Sequence, residues 1–104
     1  MSKKISKARA RKLADQFRKN GKGISSVNFT AEQFHRLLKE SNCAGIRVCN
    51  AYDEEKKEFT MFLVGTDENG NNLLPAKDEL EDSDPYSIEN DGKPCPPFCP
   101  PNNL

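Results

Sequence analysis

The side chains best suited to chemistry in this chain are its four cysteines, Cys43, Cys49, Cys95 and Cys99. Thiolates bind zinc or exchange disulfides, depending on their neighbours and on the redox compartment. The spacings, Cys-x5-Cys for the first pair and Cys-x3-Cys for the second, are together not the usual pattern of zinc fingers and ribbons. A four-cysteine zinc set is therefore one hypothesis, and zinc is the only cofactor that the sequence suggests.

The last two cysteines lie in a proline-rich end, Pro94-Cys95-Pro96-Pro97-Phe98-Cys99. Polyproline II geometry would spread four residues over about 12 Å, whereas a disulfide requires Cα atoms within about 7 Å. Cys95 and Cys99 can therefore pair only if the chain bends at Pro97-Phe98, and a cis proline would supply such a bend. Four interpretations stay open: a zinc site, a peptide that docks in another protein's groove, a redox pair, and a structural strap with cysteines as small apolar side chains.

Charge is unevenly distributed along the chain, although the net charge is zero. Residues 1–22 hold nine bases and one acid, and seven acids lie in residues 78–91. Arg9 and Lys12, with the six residues from Pro94 to Cys99, are our candidates for contacts with a protein partner or a second copy. A basic helix also attracts nucleic-acid phosphates, but interleaved aromatic residues and a recognition-helix motif are missing. A nucleic-acid accessory protein is therefore an alternative to a protein-interaction function and not our first prediction.

Enzymatic function is not indicated by the pattern of nucleophiles and bases. His35 is the single histidine, and a base near a thiol would be needed for cysteine catalysis. No Gly-x-Ser-x-Gly motif is present, so a serine nucleophile is not supported either. We predict a small, non-enzymatic protein-interaction or assembly protein without catalytic residues.

Two helices are predicted in the first half of the chain. In residues 3–20, Ala10, Leu13, Ala14 and Phe17 are spaced as one apolar stripe. In residues 30–41, Thr30 and Gln33 have the spacing of a capping box. Phe34, Leu37 and Leu38 are the expected buried stripe of this second helix.

Strands are predicted at residues 44–51 and 58–65, with a short third strand at 71–74 after Asn69-Gly70. Residues 58–65 are apolar on both faces, which is typical of a central strand. The predicted fold class is α+β: two N-terminal helices packed on a small three-stranded antiparallel meander. We expect this domain to cover residues 1–75, followed by an acidic linker and an irregular Cys/Pro-rich tail over 76–104.

The location expected from the sequence is the cytoplasm. No apolar run approaches the roughly 18 residues of a membrane span, and the basic N-terminus lacks the apolar stretch of a signal peptide. No membrane partner is therefore expected. Cytoplasmic thiols are kept reduced.

Three motifs resemble those of a group of small uncharacterised bacterial proteins. They are a Gly-Ile-Arg strand at Gly45, a Val-Gly-x-Asp-x-x-Gly hairpin at Val64–Gly70, and the Cys-Pro-Pro-x-Cys ending at Cys95–Cys99. The similarity covers residues 30–99. The similarity implies a cytoplasmic bacterial protein in which the tail belongs to the protein itself. It assigns no activity and no functional residue to this chain.

Overall fold

The computed structural model describes residues 4–21, 23–102 and 104. The part of the predicted first helix at residue 3, and the basic residues Lys3 and Lys22, lie outside the described residues. The elements in chain order are α1 (Lys7–Asn20), β1 (Ser26–Asn28), α2 (Ala31–Leu38), β2 (Gly45–Asp53), β3 (Glu58–Thr66), β4 (Asn72–Leu73), β5 (Ile88–Glu89) and β6 (Lys93–Cys95).

The chain is an α+β protein with antiparallel sheets, as predicted. β3 is the central strand of the larger sheet, because it pairs with β2 along one side and with β4 and β5 along the other. β2 and β3 form a long hairpin in which Gly45 lies opposite Thr66 and Asp53 opposite Glu58. The apolar character of both faces of β3 thus correctly indicated a central strand.

Both helices begin where short polar side chains cap them. The Ser6 hydroxyl accepts from the backbone N–H of Arg9 at 3.0 Å. Thr30 and Gln33 form the predicted capping box, because the Thr30 hydroxyl accepts from the Gln33 N–H while Gln33 Oε1 accepts from the Thr30 N–H. A capping box satisfies two backbone donors that the helix itself leaves unpaired.

The predicted packing of both helices on the sheet is confirmed only for α2. Helix α2 packs against β2 and β3 and buries Leu37 completely, whereas α1 has no buried residue. The physical reason is area: two of the four stripe residues of α1 are alanines, which offer little apolar surface to bury. The predicted buried stripe of α2 is also wrong at one residue, because Leu38 is 53% exposed.

The predictions of a three-stranded meander and of an irregular tail both miss strands. β4 forms as the short third strand, but β5 adds a fourth strand on β3, with Ile88 opposite Val64. β6 pairs with β1 in a separate two-stranded sheet, with Pro94 opposite Val27. Both strands of a two-stranded sheet are edge strands. Proline is tolerated in β6 because Pro94, which has no backbone N–H, does not have to donate a hydrogen bond to a further strand.

The fully enclosed apolar core of the described residues is small. It consists of Leu37 from α2, Leu63 and Val64 from β3, and Cys95 from β6. These four residues come from well-separated parts of the chain, and Leu63 and Val64, as neighbours on one strand, point to opposite faces of the sheet. The segment expected to be a tail therefore supplies one of the core side chains.

Candidate functional site

The C-terminal segment is hydrogen-bonded to the domain at β6, and the described residues after β6 are exposed. The carbonyl oxygen of Cys95 accepts from the Ser25 N–H at 2.7 Å and from the Ser25 hydroxyl at 3.1 Å. Cys95 is buried, but every described residue from Pro96 onward is exposed. Ser25 was not among the predicted site residues, because its role depends on a contact with a residue seventy positions away.

Beyond β6 the chain makes a tight turn that displays Phe98. The peptide bonds before Pro96 and Pro97 are cis, and the Phe98 N–H donates to the Pro94 carbonyl at 2.8 Å. The Cα atoms of Cys95 and Cys99 lie 4.7 Å apart and their sulfurs are bonded as a disulfide. Phe98 is 57% exposed, and the Lys93 ammonium lies 4.9 Å from the centroid of its ring.

This turn lies against the C-terminal end of α1. A cavity of about 230 Å³ between them is lined by Phe17 and Arg18 of α1 and by Cys95, Pro96 and Cys99 of the turn. Arg18 also donates to the Leu104 carbonyl oxygen, which ties the end of the chain to the helix. We call this meeting of the α1 end and residues 95–99 the corner.

On its other side the turn faces the small sheet. A second cavity, of about 710 Å³, is lined by Ser26, Val27 and Asn28 of β1 and by Lys93, Phe98, Cys99 and Pro100. The proline-rich turn therefore stands between two concave surfaces. Its exposed aromatic ring faces the larger of them.

The basic side chains of α1 are largely unpaired. The helix carries six bases, Lys7, Arg9, Arg11, Lys12, Arg18 and Lys19. Of these six bases, only Arg18 forms an ion pair with a described residue, namely Asp15 at 2.7 Å. Lys12 is six residues before Arg18, which corresponds to about 9 Å along a helix. The structure thus places Lys12, and Arg9 a turn further on, along the helix that leads into the corner.

The four cysteines do not form one cluster. Cys95 and Cys99 are bonded to each other, while Cys43 lies after α2, with its Sγ 3.2 Å from the Gly45 carbonyl, and Cys49 lies on β2 opposite Phe62. Within the described ranges no group of three or more His, Cys, Asp or Glu side chains is arranged to hold a metal ion. The arrangement does not support the four-cysteine zinc hypothesis.

We predict that protein purified without reductant contains two reactive thiols after unfolding, on Cys43 and Cys49. The other two cysteines should be recovered as one linked peptide. Alkylation in denaturant followed by peptide mass analysis measures both. Alkylation of all four cysteines without prior reduction would contradict the bonded turn, and metal analysis of the same sample tests the zinc hypothesis directly.

Shifted pKa values mark structural contacts between α2 and β5. Glu89, whose side chain is 11% exposed, accepts from Arg36 at 2.8 Å and 3.2 Å. These hydrogen bonds lower the pKa of Glu89 and raise that of Arg36. The other lowered pKa belongs to Asp67, whose carboxylate accepts backbone N–H groups in the turn before β4.

We expect Glu89→Gln to lower the free energy of unfolding by about 1 to 2 kcal/mol near neutral pH, because it removes charge-assisted hydrogen bonds to Arg36. The folded-state pKa of Glu89 is lowered, so its contribution is present above the ordinary carboxyl pKa and is lost as the pH falls through the lowered value. The difference between wild type and variant should therefore shrink from about pH 5 downward. Urea unfolding of both chains across this range measures it, and a difference independent of pH would contradict the assignment.

Comparison with models of protein families, with curated proteins and with solved structures finds no match for this chain. The similarity to small bacterial proteins thus stays a prediction. In the described part of the chain, no helix combines the length and the apolar character needed to cross a membrane.

Proposed function

We propose that this chain is a small, non-enzymatic protein-interaction protein that binds an acidic protein partner at the corner. The observation that carries the proposal is its surface. Folded monomers of 104 residues expose about 5,900 Å², whereas this chain exposes 8553 Å². Its radius of gyration is 15.6 Å, against about 13 Å for a compact domain of this length.

The excess surface is apolar at many points. Large apolar side chains that are exposed include Leu13 and Phe17 of α1 and Phe98 of the turn. An isolated helix of about this length is marginal in water, and α1 has no fully buried residue to compensate. Contact with a partner would bury its apolar stripe and stabilise it.

Charge determines which partner the corner fits. α1 presents five bases that have no ion pair among the described residues, so an acidic segment would gain charge pairs along its length. An apolar or aromatic residue of the same segment could pack on Phe98, whose exposed ring lies on the side of the turn that faces β1. Positive charge of this kind steers association and fixes orientation more than it adds affinity.

The cytoplasmic location expected from the sequence is part of this proposal. Reducing conditions in the cytoplasm would keep Cys95 and Cys99 as thiols, or let them bond only transiently. Trapping free thiols with an alkylating agent during lysis measures their state in the cell. A reduced pair supports the cytoplasm, and an oxidised pair would move the protein to an oxidising compartment.

The experiment is in-cell cross-linking of the tagged full chain in its native host, with linked peptides identified by mass spectrometry. We expect links from α1 and the turn to an acidic protein. Arg9→Glu/Lys12→Glu and Phe98→Ala should each reduce those links several-fold. The matched controls, Lys56→Glu/Lys57→Glu at the β2–β3 turn and Leu80→Ala, alter exposed residues that do not belong to the corner and should leave the links unchanged.

Two results would overturn the proposal. An identical set of links in the corner variants would show that the corner does not bind the partner. Loss of the links after nuclease treatment would show that the basic helix contacts nucleic acid instead.

A further inference from the structure

In the larger sheet, the longest strand edge without a neighbouring strand is the outer edge of β2. This strand has nine residues and pairs only with β3 among the described strands. The opposite edge of the sheet is formed by β4 and β5, which have two residues each. Natural proteins usually block a long edge with proline, lysine or a bulge, and the sequence of β2, Gly-Ile-Arg-Val-Cys-Asn-Ala-Tyr-Asp, has no proline or lysine.

Apolar side chains lie along this edge. Val48 and Tyr52 are both about half exposed, and strand alternation places them on the same face. On that face Tyr52 packs edge-on against Phe59 of β3, with ring centroids 4.9 Å apart. The edge is therefore continuous with an exposed apolar patch.

We propose that two copies of this chain associate through their β2 strands, which pair antiparallel around a two-fold axis at Asn50. A two-fold axis perpendicular to the sheet places the same face of both copies on the same side. An even-numbered residue must therefore pair with an even-numbered residue, and an odd-numbered residue with an odd-numbered one. With the axis at Asn50, Arg47 lies opposite Asp53 of the second copy. The same register places Val48 opposite Tyr52 of the second copy, and Cys49 opposite its Ala51.

The order of side chains along β2 makes this register self-complementary. Opposite charges and an aromatic residue facing a β-branched one are the cross-strand pairs that stabilise antiparallel sheets. The two-fold axis produces each of these pairs twice. A register centred on Cys49 would instead place Arg47 opposite Ala51 and Val48 opposite Asn50. It would keep an aromatic residue facing a β-branched one, Tyr52 opposite Ile46, but it would form no pair of opposite charges.

The groups needed for these pairs are accessible. Arg47 donates through Nη2 to the Gly70 carbonyl at 2.7 Å, and its Nε and Nη1 have no acceptor among the described residues. Asp53 uses Oδ1 to accept from the N–H groups of Glu55 and Lys56, so Oδ2 remains for a guanidinium.

The surface of the chain is large enough for such an interface. A stable interface of standard size removes about 800 Å² from each partner, and the chain exposes roughly 2,700 Å² more than a compact monomer of its length. None of the β2 residues paired in this register lines either of the two cavities beside the turn. Self-association and partner binding can therefore be tested separately.

Sedimentation of the purified full chain over a range of concentrations tests the dimer. We expect Arg47→Asp alone and Asp53→Lys alone each to weaken the homodimer roughly 10- to 30-fold, because each creates two like-charge pairs. Mixing the two variant chains should restore association as a heterodimer. In the mixed pair the introduced aspartate faces the introduced lysine, and the native Asp53 of one chain faces the native Arg47 of the other. A monomer at all concentrations, or variants that do not associate when mixed, would overturn the proposal.

Cross-linking tests the register without disturbing the charges. Antiparallel partners have Cα atoms about 4.5 to 5.5 Å apart, within the range that a disulfide spans. Asn50→Cys in a Cys49→Ser background should form an inter-chain disulfide on mild oxidation, identified by peptide mass. Self-linking of Cys49 in the wild type, with no linking at position 50, would overturn the register. Corner variants such as Phe98→Ala should leave the dimer unchanged, whatever becomes of partner binding.

Discussion

Leu37→Ala is expected to lower the free energy of unfolding by about 2 to 5 kcal/mol, because it removes buried methyl groups and leaves a cavity. Leu37 is 0% exposed and is one of only four enclosed apolar residues in the described part of the chain. Small domains have marginal stability, so this loss is a large fraction of the total. Urea unfolding at fixed protein concentration measures it, since association would shift the midpoint.

The chain supplies a matched control in the next residue. Leu38 occupies the same helix and has the same side chain, but it is 53% exposed. Leu38→Ala should therefore cost well under half as much as Leu37→Ala. Equal losses for the two variants would show that α2 is rotated relative to the orientation described above.

Gly92→Ala is expected to destabilise the chain by about 1 to 3 kcal/mol through overpacking. A Cβ atom at position 92 would lie 2.3 Å from Val27 Cγ1 and 3.0 Å from the Phe29 ring. The residues between β5 and β6 would have to move away from β1, and the β1–β6 pairing would loosen. Thermal or urea unfolding of wild type and variant measures the loss.

A double-mutant cycle separates the clash from any other effect of the substitution. Val27→Ala removes the atom that the new Cβ would meet. In that background Gly92→Ala should cost clearly less than in the wild type. Additive losses would contradict the close approach of Gly92 to β1.

These two substitutions and the two proposals concern different parts of the molecule. Leu37 tests the packing of α2 on the larger sheet, and Gly92 tests the packing of the C-terminal segment against Val27 and Phe29. The corner variants test partner binding, and the β2 variants test self-association. A folded chain that fails one of the binding tests therefore leaves the other proposal standing.

Features set by neighbouring residues could be predicted from the sequence. The capping box at Thr30 and Gln33 needs only residues three positions apart, and the β2–β3 hairpin needs two adjacent strands with a polar turn. The central position of β3 followed from its apolar residues on both faces. The bend that would let Cys95 and Cys99 pair was also foreseen as a condition, and the structure contains it.

Features that depend on distant contacts were decided only by the tertiary structure. Which of Leu37 and Leu38 is buried depends on the rotation of α2 over the sheet, because adjacent leucines on one helix both fit an apolar stripe. The strands β5 and β6 are two and three residues long, too short to show a period, and they exist because β3 and β1 offer unpaired edges. That α1 has no buried residue likewise depends on what the rest of the chain places beside it. Local hydrogen bonds and side-chain alternation can be predicted from neighbouring residues, whereas the burial of a residue depends on which distant parts of the chain pack against it.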